Sequence, residues 1–301
     1  MTSPQAVPPP VATAHDAVAL LALFAGATCI ALSPIWVRVS EVGPTASAFW
    51  RVALAVPVLW LLVPLARGPS AAAGQAVPVR LYAMAGVAFA GDLAFWHWSI
   101  QFTSVANSTL LANLAPIFVT LAAWVLWRQR PTGVFLAGLV AALLGAGLLV
   151  STSIEFSPTA LAGDGLGVIT AVFYAWYLLV VKDIRNRGAG VLRLMAISTT
   201  ITAILLLPVA LVSGEGLLPA TALGWWKLAG LALVSHAAGQ GLIAYALAHL
   251  PAAFSSVSLL VQPVMAAVFA WLILAEPLVA LQGLGGLVVL VGIYVARRGS
   301  R

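Results

Sequence analysis

The stretch GDLAFWHWSI, residues 91–100, sets Asp92 and His97 among large aromatic rings in an otherwise apolar run. A carboxylate there can hold a substrate ammonium, carry a proton or pair with a cation, and Arg51, within another apolar run, is the cation at hand. Arg51 can equally bind a carboxylate, because the planar guanidinium fork matches that group. Together Asp92 and Arg51 match the two ends of an amino acid zwitterion. His97 is either a group that titrates near neutral pH or a neutral, hydrogen-bonded imidazole. Enzyme chemistry finds no support: there is no H-E-x-x-H, no paired intramembrane aspartates, no Ser/Lys dyad and no glycine-rich phosphate loop. Asp92 with His97 or His236 supplies too few ligands for a metal, and no cofactor is implied.

The elements that position these groups follow from composition. Of 301 residues, 62% are hydrophobic and 7% charged, with a mean hydropathy of +1.08, which is the composition of an integral membrane protein. A span needs roughly 20 apolar residues, and ten runs qualify: 17–39, 46–66, 79–101, 104–126, 132–151, 164–182, 191–212, 225–247, 253–274 and 279–296. With no water in the bilayer to satisfy the backbone, such runs are helices, and the dyad pattern of barrel strands is absent. The fold class is therefore an all-α membrane protein. The net charge of +6 does not imply a nucleic acid partner, because the basic residues sit in short gaps rather than on one solvated face. Cys29 is the single cysteine, so no intrachain disulfide forms. The Pro-rich residues 1–16 have no basic n-region and read as a disordered leader, not a signal peptide.

If the gaps alternate sides, eleven of fourteen basic residues fall on the N-terminal side, while Glu41, Glu155, Asp164, Glu215 and Glu276 fall opposite. The positive-inside rule then predicts both termini in the cytoplasm of a bacterial-type inner membrane. A shift of 147 residues lays ANSTLLANLAPIFVTLAAW on AFSSVSLLVQPVMAAVFAW, matching Ser108, Pro116 and Trp124 to Ser255, Pro263 and Trp271. In the same register Gly138 and Gly145 match Gly285 and Gly292. Residues 17–151 and 164–296 thus form two five-helix repeats, joined by an outer loop at 152–163 and followed by a tail at 297–301. Because five is odd, the second repeat is inverted, the arrangement of carriers whose substrate site lies near the midplane.

ALAHLPAAFSSVSLLVQPVMAAVFAWLILAEPLVALQGLGGLVVLVGIYV resembles the ending of the second EamA-type unit in the drug/metabolite transporter superfamily. HWSIQFTSVANSTLLANLAPIFVTLAAWVLW resembles its counterpart in the first unit, and GDGLGVITAVFYAWYLLVVK the helix that opens the second. The ten-helix, YddG-like exporters of amino acids and related metabolites are the most similar branch. The resemblance implies a central cavity lined by helices 1 to 4 and 6 to 9, with helices 5 and 10 at the periphery. Arg51 resembles an arginine that these proteins often carry early in helix 2. The family often has Glu before the proline of helix 9, whereas this chain has Gln262.

On their own physics, Pro116 and Pro263 break hydrogen bonds near the middles of the fourth and ninth spans, freeing carbonyls beside Asn113 and Gln262. They serve as packing kinks, as gating points, or as both. Thr170, Tyr174 and Tyr177 form one stripe at i, i+4 and i+7; Tyr177 can alternatively mark the cytoplasmic interface. His236 and Gln240 stand at i, i+4, and Ser255, Ser258 and Gln262 at i, i+3 and i+7. Such groups act as interhelical glue at about 0.6 kcal/mol each, or as a polar lining. On the third span Asp92, Phe95, Trp96 and Ser99 share a face that His97 does not. Phe95, Trp96 and Trp98 can stack on a substrate or face lipid. The expectation is a carrier of amino acids, proton-coupled or uniporting, with a small molecule and the bilayer as partners and one subunit sufficient. Sugar phosphates, nucleotide sugars and cationic drugs are the alternative substrates, and a channel is the alternative mechanism.

Overall fold

The computed structural model describes residues 14–65, 77–103, 105–151 and 158–300. The leader falls almost wholly outside these residues, as do part of the 152–163 loop and the gap around Arg67. The described chain forms the long helical segments α1 (Asp16–Arg38), α2 (Pro44–Leu65), α3 (Val79–Phe102), α4 (Asn107–Trp127), α5 (Gly133–Val150), α6 (Ala160–Asn186), α7 (Val191–Val212), α8 (Ala222–Ala246), α9 (Ala252–Leu274) and α10 (Ala280–Gly299). All but α3 are long and apolar enough to cross a bilayer. At 24 residues α3 has the length, about 36 Å at 1.5 Å per residue, but Arg80, Asp92, His97 and Gln101 lower its apolar character. Among the described residues, nine of the ten predicted spans are thus helices long and apolar enough to cross a membrane.

Four of these segments are interrupted, at Leu32 in α1, Leu54 in α2, Asn113–Leu114 in α4 and Leu259–Leu260 in α9. Each break ends two or three residues ahead of a proline: Pro34, Pro57, Pro116 or Pro263. Proline has no N–H to donate and its ring collides with the preceding turn, so the backbone opens there. The breaks at Pro116 and Pro263 match expectation; those at Pro34 and Pro57 have the same cause. Helix α8 is distorted without proline, through a π-helical run from Leu231 to Gln240. It packs so closely on α1 that a Cβ on Gly26 would lie 2.7 Å from the Gly239 carbonyl oxygen.

Charges sort the two ends of the bundle. At one, Glu41 accepts from the Thr221 backbone N–H at 3.0 Å and from its hydroxyl, while Glu215 accepts from Thr45 Oγ1 and the Ala46 N–H, both at 2.9 Å. Arg38 pairs with Glu276, Gln101 donates to Glu215 and Asn107 donates to Asp164. These bonds tie the α1–α2, α7–α8 and α9–α10 connections and the adjoining ends of α2, α3, α4 and α6 into one acidic end. At the opposite, basic end Lys182 Nζ donates to the Leu250 carbonyl at 3.0 Å, and Thr132 Oγ1 to that of Gly299 at 2.7 Å.

Helices α5 and α10 pack antiparallel through small residues. A Cβ on Gly138 would fall 2.3 Å from the Ala296 nitrogen and 2.7 Å from the Gly292 oxygen; one on Gly145 would fall 2.7 Å from the Gly285 oxygen. Each glycine therefore faces the counterpart of the other, a reciprocal pairing. The ends of α4 and α9 repeat the relation: Arg128 and Ala275, 147 residues apart, are both left-handed at φ 55. The next N–H in each case, from Gln129 or Glu276, donates back to Ala123 or Ala270, closing matched left-handed caps.

Candidate functional site: a cavity among the central helices

Breaks and close approaches leave a space inside the bundle. It is lined by Ile30, Ser33 and Pro34 of α1, Arg51 of α2, Asp92, Leu93 and Trp96 of α3, and Thr109 and Asn113 of α4. Thr170 and Tyr174 of α6, Gln240 of α8 and Gln262 of α9 complete its polar wall. Its volume is about 90 Å³. Helices α5 and α10 contribute nothing to this lining, in keeping with their peripheral place. Helix α7 does not line it either, contrary to expectation, because His236 and Phe89 stand between.

Arg51 is 5% exposed and makes no hydrogen bond or ion pair to the protein among the described residues; its Nε is buried without a partner. Its guanidinium carbon stands 5.9 Å from the Phe89 ring centroid, at the outer limit of a cation–π contact. Asp92 lines the same cavity and is not in ion-pair contact with Arg51. The direct pairing weighed from sequence is therefore not formed. Burying a charge unpaired is costly, and the two opposite charges lie open to the same space.

Around them stand uncommitted polar groups. Tyr174 lies beside Gln240 and Gln262, yet its hydroxyl, Gln240 Oε1 and Gln262 Nε2 are buried without a hydrogen bond of normal geometry. Asn113 Nδ2, at the break in α4, donates to the Thr109 carbonyl one turn back at 2.7 Å. Thr170 donates to the Leu166 carbonyl one turn back, at 3.0 Å.

Three candidates lie outside the lining. Tyr177 is 2% exposed, so it is no interfacial ring; its hydroxyl donates to Met195 Sδ at 3.9 Å. His236 stacks near Phe89 and bonds Thr199 through Nε2 at 2.9 Å. Ser258 closes on its own helix, donating to the Phe254 carbonyl at 2.9 Å. The His97 ring is fully buried, with Nδ1 2.6 Å from the Leu93 oxygen, which is the hydrogen-bonded imidazole. Of the aromatic trio only Trp96 faces the cavity: Phe95 stacks on Phe173 at 5.3 Å and Trp98 is exposed. Ser33 and Thr109 also line the space without having been singled out; nothing in their spacing marks them.

A helical membrane protein whose central helices enclose a cavity with two opposite, unpaired charges is built as a transporter. The EamA-like transporter family matches residues 17–151 and again 161–298, and the chain belongs to that family. It is 28% identical over 284 residues to the pseudopaline exporter CntI of Pseudomonas aeruginosa, covering 93% of this chain and 95% of that protein. An uncharacterized transporter of Archaeoglobus fulgidus is 26% identical over 268 residues, covering 87% and 90%. A protein of known crystal structure shares the fold with a TM-score of 0.79 at 16% identity, over 95% of this chain and 99% of that one.

Proposed function

We propose that the protein exports amino acids or similar zwitterionic metabolites by alternating access, as ten membrane helices in two inverted five-helix repeats. The observation that carries the substrate class is the split charge: Arg51 and Asp92 line one cavity, neither paired with the other. A carboxylate on Arg51 and an ammonium at Asp92 relieve both unpaired charges at once, and Trp96 with Leu93 and Ile30 leaves an apolar wall for a side chain. A single arginine in the lining disfavours polyanionic phosphates. The reciprocal glycines of α5 and α10 and the matched caps of α4 and α9 support the inverted repeat. The charge bias supports cytoplasmic termini in an inner membrane. Relatives named as transporters or as an exporter support a carrier rather than an enzyme.

The test is counterflow of labelled amino acids in proteoliposomes, at equal pH and with a pH gradient, for wild type and Asp92→Asn. Saturable, stereoselective exchange is the expected result. Accumulation driven by the gradient and lost in Asp92→Asn makes Asp92 the proton carrier; exchange at flat pH with no response to the gradient makes the protein a uniporter. Absence of amino acid flux overturns the substrate class, and flux far above carrier rates makes the protein a channel.

A further inference from the structure

Behind Arg51 lies a layer that the cavity does not use. Phe89 of α3 packs its ring 4.8 Å from Tyr177 of α6 and 5.1 Å from His236 of α8. Each partner is fixed from α7: Tyr177 donates to Met195 Sδ, and His236 bonds Thr199. Phe89 is 2% exposed and His236 1%, and all three side chains lie outside the cavity lining. Phe89 is the ring over which the Arg51 guanidinium sits, and no hydrogen bond from the protein holds that guanidinium. The ring set against the cation is thus one clamped from two other helices.

We propose that Phe89 is the positioning residue for substrate carboxylate: clamped by Tyr177 and His236, it holds the Arg51 guanidinium facing the cavity in place of a protein anion. A carboxylate in that role would neutralise Arg51 and compete with substrate; a ring orients the cation and leaves its charge free. This rests on the reading of Arg51 as the carboxylate site. Of the uncommitted buried groups, it accounts for His236 as a clamp rather than a ligand.

The experiment compares an amino acid with its carboxamide as substrates for wild type, Phe89→Leu, Phe89→Tyr and Phe89→Trp, with folding checked by thermal melting. Phe89→Leu is expected to raise KM for the acid about tenfold, to leave KM for the amide and the maximal rate within about twofold, and to be rescued in Tyr or Trp. Equal change for acid and amide overturns the positioning role. If wild type itself does not distinguish acid from amide, the carboxylate reading fails, and the layer is judged by nitrogen NMR of the Arg51 Nε, identified by its loss in Arg51→Lys. A ring-shifted signal that moves in Phe89→Leu supports the clamp, and an unmoved one overturns it.

Discussion

At the scale of single residues the chain keeps its charges apart where a soluble protein would join them. Arg51 is buried against Phe89 and open to the cavity, so Arg51→Gln is expected to weaken acid substrates at least tenfold, a loss of about 1.4 kcal/mol. Arg51→Lys is expected to recover only part of this, because an ammonium lacks the bidentate fork; counterflow KM values check both. At the acidic end the Thr221 hydroxyl, with its backbone N–H and the Lys227 charge, holds the Glu41 carboxyl below the usual carboxylate range, against a countering effect of burial. A carboxyl lowered in the folded state stabilises above its unfolded value, about 4.3, and that contribution disappears as pH falls through the folded value. Thermal melts of wild type and Glu41→Gln are therefore expected to differ at neutral pH and to converge below the usual carboxylate range.

At the scale of elements, small residues and proline decide where helices meet and where they open. A side chain at Gly292 would put its Cβ 2.4 Å from the Ala142 nitrogen, so Gly292→Leu is expected to force α5 and α10 apart and to cost about 1–3 kcal/mol, read as a lower melting temperature. Ala275 holds a left-handed cap at φ 55, which costs a Cβ-bearing residue about 1–2 kcal/mol. Ala275→Gly is expected to raise stability by about 0.5 kcal/mol once the extra freedom of unfolded glycine is subtracted; melting in detergent checks the sign. The helices, the breaks at Pro116 and Pro263 and eight of the cavity residues, from Arg51 to Gln262, were legible in the sequence, because apolar length and proline act locally. Periodicity assigns a face but not what packs on it, which is why Tyr177 and His236 were placed in the cavity and stand behind it. The π-helical run in α8 includes Gly239, whose carbonyl lies close against Gly26 of α1, a tertiary contact that no spacing within α8 reveals.

At the scale of the whole molecule, the hydrogen-bonded acidic end and the cation-rich basic end give the bundle a direction. Orientation is checked in a Cys29→Ser background with single cysteines at Gly216, in the α7–α8 connection, and Gly190, in the α6–α7 connection; a side chain at either position meets nothing within 4 Å. An impermeant maleimide added outside is expected to label Gly216→Cys and to spare Gly190→Cys. Between the two ends, α1 to α4 from one repeat and α6, α8 and α9 from the other enclose the opposite charges that define the proposed substrate. The most direct measurement is competition of counterflow by two analogues, one lacking the carboxylate and one lacking the amine, in wild type, Arg51→Gln and Asp92→Asn. The expected result is a crossed pattern: Arg51→Gln no longer distinguishes acid from amide, Asp92→Asn no longer distinguishes amine from its absence, and each keeps the other discrimination. Full discrimination of both groups in both variants would contradict recognition of the zwitterion by this pair.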